Sequence, residues 1–163
     1  MMERPKSINA PELPPSDPRW HEYLDAALPI ARAAGDLLAE SFGHARTVEL
    51  KGAIDLVTEM DRRAEDLIVT RLAKSFPDFA IIAEEGSIRN AANRFAWYVD
   101  PLDGTTNYAH GLPLFCVSLG LVFDTTPICG IIYHPMDARC SPVSASEVPF
   151  CTISRCMSPQ QQS

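Results

Sequence analysis

Two helical patterns come first in this chain and four strand-like segments follow, and this order constrains the fold more than any other feature. Apolar residues recur every three or four positions over residues 24–42, which predicts a helix that begins at Asp17 and ends at Gly43. Pro29 is expected to kink this helix. The same spacing predicts a second helix over residues 59–76.

Strand-like apolar runs make up most of the second half. They cover residues 79–83, 95–99, 114–123 and 128–134. A short hairpin is also expected between the two helices, over residues 48–51 and 55–57 with its turn at Gly52. Helices that precede successive strands are typical of a layered domain, so the predicted fold class is α/β, built as an α+β sandwich.

Composition divides the chain into three parts. The first 18 residues contain five prolines, and we expect residues 1–17 to form a flexible leader. All eight glycines lie between Gly35 and Gly130, whereas three of the five cysteines lie in residues 137–163. We therefore expect a domain over residues 18–136, followed by a tail of different character.

Charge and hydropathy exclude several classes of partner. Lys and Arg number 14 against 21 Asp and Glu, so the net charge of −7 argues against nucleic-acid binding, which needs a basic face. Apolar runs stay shorter than the roughly 18 residues that a membrane span needs, and the first residues do not form a secretory signal. The sequence therefore favours a cytoplasmic protein that binds neither nucleic acid nor membrane, with cysteines present as thiols.

The most informative segment is residues 97–108, with the sequence WYVDPLDGTTNY. An apolar strand ends at Asp100, Pro101 offers no N–H to continue the strand ladder, and a second acid follows at Asp103. Gly104 permits a tight turn before a hydroxyl-rich helix start. Paired carboxylates suit a hard divalent cation, and free N–H groups suit a phosphate. Spacing alone leaves open the alternative that an Asp simply caps the helix.

Two other acidic elements have ordinary explanations when each is taken alone. Glu84 and Glu85 end the strand at residues 79–83, where adjacent glutamates are more often solvated than functional. Asp61 lies in the first turn of the second predicted helix, where its charge would favour the helix dipole.

Together these segments resemble the inositol monophosphatase family of metal-dependent sugar phosphatases, in that family's order and spacing. The resemblance runs from about Trp20 to Met136 and implies a layered sandwich of the sugar-phosphatase type. Its segments are KG at 51–52, DLVTEMD at 55–61, AEE at 83–85, residues 97–108 and FCVSLG at 115–120.

The resemblance implies a site for Mg²⁺. Glu84 and Asp100 would ligate a first ion together with the backbone carbonyl of Leu102. Asp100 would bridge to a second ion, which Asp103 would also ligate. These are oxygen ligands, the type that Mg²⁺ prefers.

The resemblance also implies roles in catalysis and substrate binding. Asp61 and Thr105 would orient and deprotonate the attacking water. The N–H groups of Gly104 and Thr105 would hold the substrate phosphate. Glu85 would assist a more loosely bound ion through water, and Lys51 would lie on a hairpin that approaches the site.

Substrate and partners are implied only as classes. The substrate would be a small phosphorylated polyol such as myo-inositol 1-phosphate, although fructose bisphosphate, adenosine bisphosphate and histidinol phosphate are also used within the wider family. A homodimer is possible, because the family commonly dimerises.

The resemblance ends after Met136. Family members carry a W-D-x-A-G segment further on, whose Asp completes the second metal site, but neither Trp20 nor Trp97 is followed by Asp. We therefore expect the N-terminal portion of the fold, truncated, with an incomplete domain. The alternative to an active phosphatase is a catalytically impaired fragment that acts only as a Mg²⁺-binding or interaction module.

Overall fold

The computed structural model describes residues 19–45, 50–84, 86, 88–90, 92–137 and 139–144. The leader expected at residues 1–17 lies outside these ranges. In chain order the elements are α1 (Trp20–Ala45), α2 (Leu50–Ser75), β1 (Ala80–Ala83), β2 (Ile88–Arg89), β3 (Phe95–Asp103), α3 (Thr105–Ala109), β4 (Cys116–Phe123), β5 (Thr126–His134) and β6 (Arg139–Ser144).

The strands form one mixed sheet of six in the order β2-β1-β3-β4-β5-β6. β1 pairs with β3 in parallel, and the other neighbours are antiparallel. The core lies between this sheet and the helices, with α2 against β1 and β3 and with α1 against β4 and β5. The layered α/β class is therefore confirmed. In the described segments, no helix has an apolar stretch of the length that a membrane crossing requires.

The second helix begins nine residues earlier than predicted, and the hairpin expected before it is wrong. Residues 50–57 are helical, and residues 46–49 lie outside the described ranges. Val57 is buried in line with Met60, Ala64 and Ile68, so it belongs to the apolar stripe of α2. Gly52 disfavours a helix by only about 1 kcal/mol relative to Ala, a cost that the long stripe outweighs.

The sheet is also more extensive than predicted. β3 continues to Asp103, so the ladder is interrupted at Pro101, as its missing N–H suggests, but it does not end there as we expected. The strand reaches Asp103 through a shift in pairing register between Asp100 and Asp103. Two strands were not predicted, the short β2 and the edge strand β6. Because β6 pairs with β5, the sheet continues beyond the domain boundary that we expected at residue 136.

Candidate functional site

The register shift in β3 brings two acids to one face of the sheet. Asp100 lies opposite Ser118 of β4, and Asp103 lies opposite Cys116, so three steps along β3 match two along β4. Side chains alternate along a regular strand, and residues three apart would point to opposite faces. One extra residue, a β-bulge, reverses that alternation for Asp103.

The electrostatics of Asp100 show that the acids are close. Its pKa is raised to about 6, first because burial disfavours the charged form and then because Glu84 and Asp103 place negative charge beside it. A hydrogen bond with Glu84 adds to this increase. The Leu102 N–H donates to Asp100 Oδ1 at 3.2 Å and lowers the pKa, but by less than the other effects raise it.

Glu84 reaches the cluster because β1 and β3 run in parallel. Its backbone N–H donates to the Val99 carbonyl oxygen at 3.1 Å, directly after the register pair Ala83–Val99. Glu84, which follows β1, and Asp100, which lies within β3, are therefore next to each other on neighbouring strands. The Glu84 side chain is exposed, so a ligand can reach it from solvent.

Gly104 makes the sharp turn after the second acid. It has φ of +96°, a conformation that residues with a Cβ rarely adopt. α3 begins at the next residue, Thr105, which is exposed. The Asn107 side chain donates to the Leu114 carbonyl oxygen at 2.8 Å and so fastens the loop that returns to β4. The turn therefore leaves the start of α3 accessible beside the acids.

α3 is anchored to α1 by a buried tyrosine. The Tyr108 hydroxyl donates to the Leu38 carbonyl oxygen at 2.8 Å, and its ring packs edge-on against Phe42 and Phe115. We expect Tyr108→Phe to lower the free energy of unfolding by about 1 kcal/mol, because it removes one buried hydrogen bond. Urea unfolding measures the change. Tyr98→Phe is the control, since Tyr98 is 47% exposed, and an equal loss in both variants would contradict the prediction.

For the other predicted site residues, the structure gives only part of the surroundings. Asp61 lies on α2 with 8% of its surface exposed, and α2 packs against α3. Its proximity to Thr105 stays a prediction. Lys51 lies within α2 rather than on a hairpin, and its side chain is outside the description. Glu85 lies outside the described residues.

The donor set fits a hard divalent cation in composition. Three carboxylates, those of Glu84, Asp100 and Asp103, are close enough for two of them to raise the pKa of the third. Positive charge bound among them would relieve that repulsion. Within the described residues, however, no three His, Cys, Asp or Glu side chains are already arranged to hold an ion.

One residue beside the acids was missed from the sequence. Cys116 and Cys129 are both buried free thiols. Cys116 also lies with its Sγ 3.6 Å from Asp103 Oδ2. Neither residue type nor spacing signalled this contact, because it depends on the register between β3 and β4.

Comparison with known proteins gives the family. The model of the inositol monophosphatase family matches residues 19–155. The chain is 42% identical over 131 residues to an inositol-1-monophosphatase from Synechocystis sp., covering 79% of this chain and 45% of the relative. It is 42% identical over 121 residues to inositol monophosphatase 3 from Solanum lycopersicum, covering 71% and 44%.

A solved structure supports the same relationship. The inositol monophosphatase from Anabaena (Nostoc) sp. superposes with a TM-score of 0.65 at 36% identity, covering 77% of this chain and 44% of that one. The chain thus spans somewhat less than half the length of the relatives it matches. Because the family model covers most of the chain and includes the acidic cluster and the turn at Gly104, the chain belongs to the inositol monophosphatase family.

Proposed function

We propose that this protein is a Mg²⁺-dependent hydrolase of small phosphate monoesters, with myo-inositol 1-phosphate or a similar sugar phosphate as substrate. The observation that carries the proposal is the acidic cluster of Glu84, Asp100 and Asp103, in which burial and then the charges of Glu84 and Asp103 raise the pKa of Asp100 to about 6. Membership of the inositol monophosphatase family and the names of the relatives support the same activity.

The acidic cluster would hold the ions. Glu84, Asp100 and the carbonyl of Leu102 would bind a first Mg²⁺, and Asp100 would share a second with Asp103. Mg²⁺ bound there supplies Lewis-acid polarisation of the phosphate and lowers the pKa of bound water.

Other residues would handle the substrate and the water. Thr105 is exposed at the start of α3, where its N–H and that of Gly104 would bind the phosphate. Asp61 and the Thr105 hydroxyl would orient the attacking water and accept its proton. Glu85 would contact a weakly held ion through water, and Lys51 would approach the substrate from α2.

A second candidate function is a module that binds Mg²⁺ or a partner without turnover. One observation favours it: the acidic cluster can attract a cation whether or not a substrate is turned over. Homodimerisation and a cytoplasmic location remain further proposals.

Phosphate release and Mg²⁺ binding separate the two candidates. The full chain would be titrated with Mg²⁺ by calorimetry, and phosphate release from myo-inositol 1-phosphate, fructose 1,6-bisphosphate and adenosine 3′,5′-bisphosphate would be measured with Mg²⁺ and with chelator. Phosphate release that is abolished by the chelator would support the proposed phosphatase activity. Binding without turnover supports the module, and the absence of both contradicts the proposed metal site.

A further inference from the structure

The first residue of β4 touches the acidic cluster. Cys116 lies opposite Asp103 in the ladder, directly after the bulge, and only 6% of it is exposed. Its Sγ is 3.6 Å from Asp103 Oδ2, within reach of a hydrogen bond from sulfur. A buried thiol and an exposed carboxylate therefore meet at one edge of the site.

The direction of this hydrogen bond follows from the two groups that form it, since the thiol carries an S–H that can donate. Burial raises the pKa of the Cys116 thiol to about 12, and the negative charges of Asp103 and Asp100 act in the same direction. A carboxylate can only accept, so the S–H donates to Asp103 Oδ2.

We propose that Cys116 is a positioning residue, whose S–H holds one carboxylate oxygen of Asp103 so that the other is oriented toward a divalent cation. The inference rests on the proposed function, because it gives Asp103 an ion to bind. An exposed aspartate on a bulge has freedom to rotate, and groups that hydrogen-bond to a ligand commonly restrict that rotation. The Cys116 thiol restricts the Asp103 carboxylate from the first residue of β4.

Cys129 shows that burial alone does not explain the contact. It is also 6% exposed, but it lies on β5 opposite Leu121. Its pKa is raised to about 12 by burial alone, without a contribution from a carboxylate. Cys129→Ala therefore creates a similar small cavity away from the acids and is a matched control for Cys116→Ala.

Mg²⁺ binding to the full chain tests the proposal. Calorimetry should show Mg²⁺ affinity about tenfold lower in Cys116→Ala, because the Asp103 carboxylate loses its restraint. Cys116→Ser keeps a donor and should recover most of the affinity, and Cys129→Ala should bind as the unaltered chain does. Equal affinities in Cys116→Ala and Cys129→Ala, or no recovery with serine, would overturn the proposal.

An infrared measurement without metal separates the hydrogen bond from the proposed function. The S–H stretching band lost in Cys116→Ala should lie at lower frequency than the band lost in Cys129→Ala, and Asp103→Ala should remove that difference. If the S–H bands of Cys116 and Cys129 have the same frequency, the proposed positioning role of Cys116 is overturned even if the chain binds Mg²⁺. If the lowered band is present but the unaltered chain binds no Mg²⁺, the proposed function fails, and the positioning role fails with it.

Discussion

Asp100→Asn should weaken Mg²⁺ binding by more than about tenfold and yet stabilise the metal-free chain at pH 7.5. The affinity falls because an amide replaces the carboxylate shared between the proposed ions, and losing a ligand costs at least as much as losing its hydrogen-bond partner. The stability rises because the unfolded chain solvates the Asp100 charge better than the folded chain does, where its pKa is about 6. After allowing for solvent screening, we expect a gain of about 1 kcal/mol.

The sign of this effect predicts its pH dependence. Asp100 has a raised pKa, so its unfavourable contribution is fully present above about pH 6 and disappears as the pH falls from 6 toward the ordinary value of 3.8. The gain in Asp100→Asn should therefore be largest at pH 7.5 and absent near pH 4. Urea unfolding at several pH values, in chelator and in Mg²⁺, measures it.

Asp124→Asn is the matched control for Asp100→Asn. Asp124 is bound by Arg94 at 2.7 Å, and this partner lowers its pKa, the opposite of Asp100. Asn tolerates its positive φ of 54°, so the backbone should be undisturbed. Asp124→Asn should leave Mg²⁺ binding unchanged and should not gain stability. A pH-independent gain in Asp100→Asn would contradict the raised pKa of Asp100.

Gly104→Ala should destabilise the chain by about 3 kcal/mol. The added Cβ would lie 2.8 Å from the Leu114 carbonyl oxygen and 3.3 Å from Phe115 Cα, and these backbone atoms cannot turn aside as a side chain would. The φ of +96° adds strain for any residue with a Cβ. Each effect costs roughly 1–3 kcal/mol. Thermal and urea unfolding measure the loss.

Gly120→Ala provides the comparison for Gly104→Ala. Apart from Gly120 itself and its two chain neighbours, no heavy atom of the described structure lies within 4 Å of the position that its Cβ would take. Alanine has less conformational freedom than glycine in the unfolded chain. The free energy of unfolding of Gly120→Ala should therefore be unchanged or higher by up to about 1 kcal/mol. Similar unfolding midpoints for the two variants would show that the turn at Gly104 tolerates a side chain, contrary to the prediction.

Most elements were predictable because their signals are local. The apolar spacing of α1 and the apolar runs of β1, β3, β4 and β5 lie within stretches of 30 residues or fewer. The start of α2 was not predictable, because a short segment of mixed residues is ambiguous between strand and helix until Val57 packs in the core. β6 was missed because its pairing with β5, rather than its own pattern, makes it a strand.

The sequence by itself determined which acids are candidates for binding a cation, since Glu84, Asp100 and Asp103 follow the predicted strands in a family-specific order. Only the tertiary structure decided how they meet. The parallel pairing of β1 with β3 brings Glu84 to Asp100, and the bulge turns Asp103 to the same face. The register of β4 then places Cys116 against Asp103. Residue patterns are local, whereas strand register depends on how distant segments pack together.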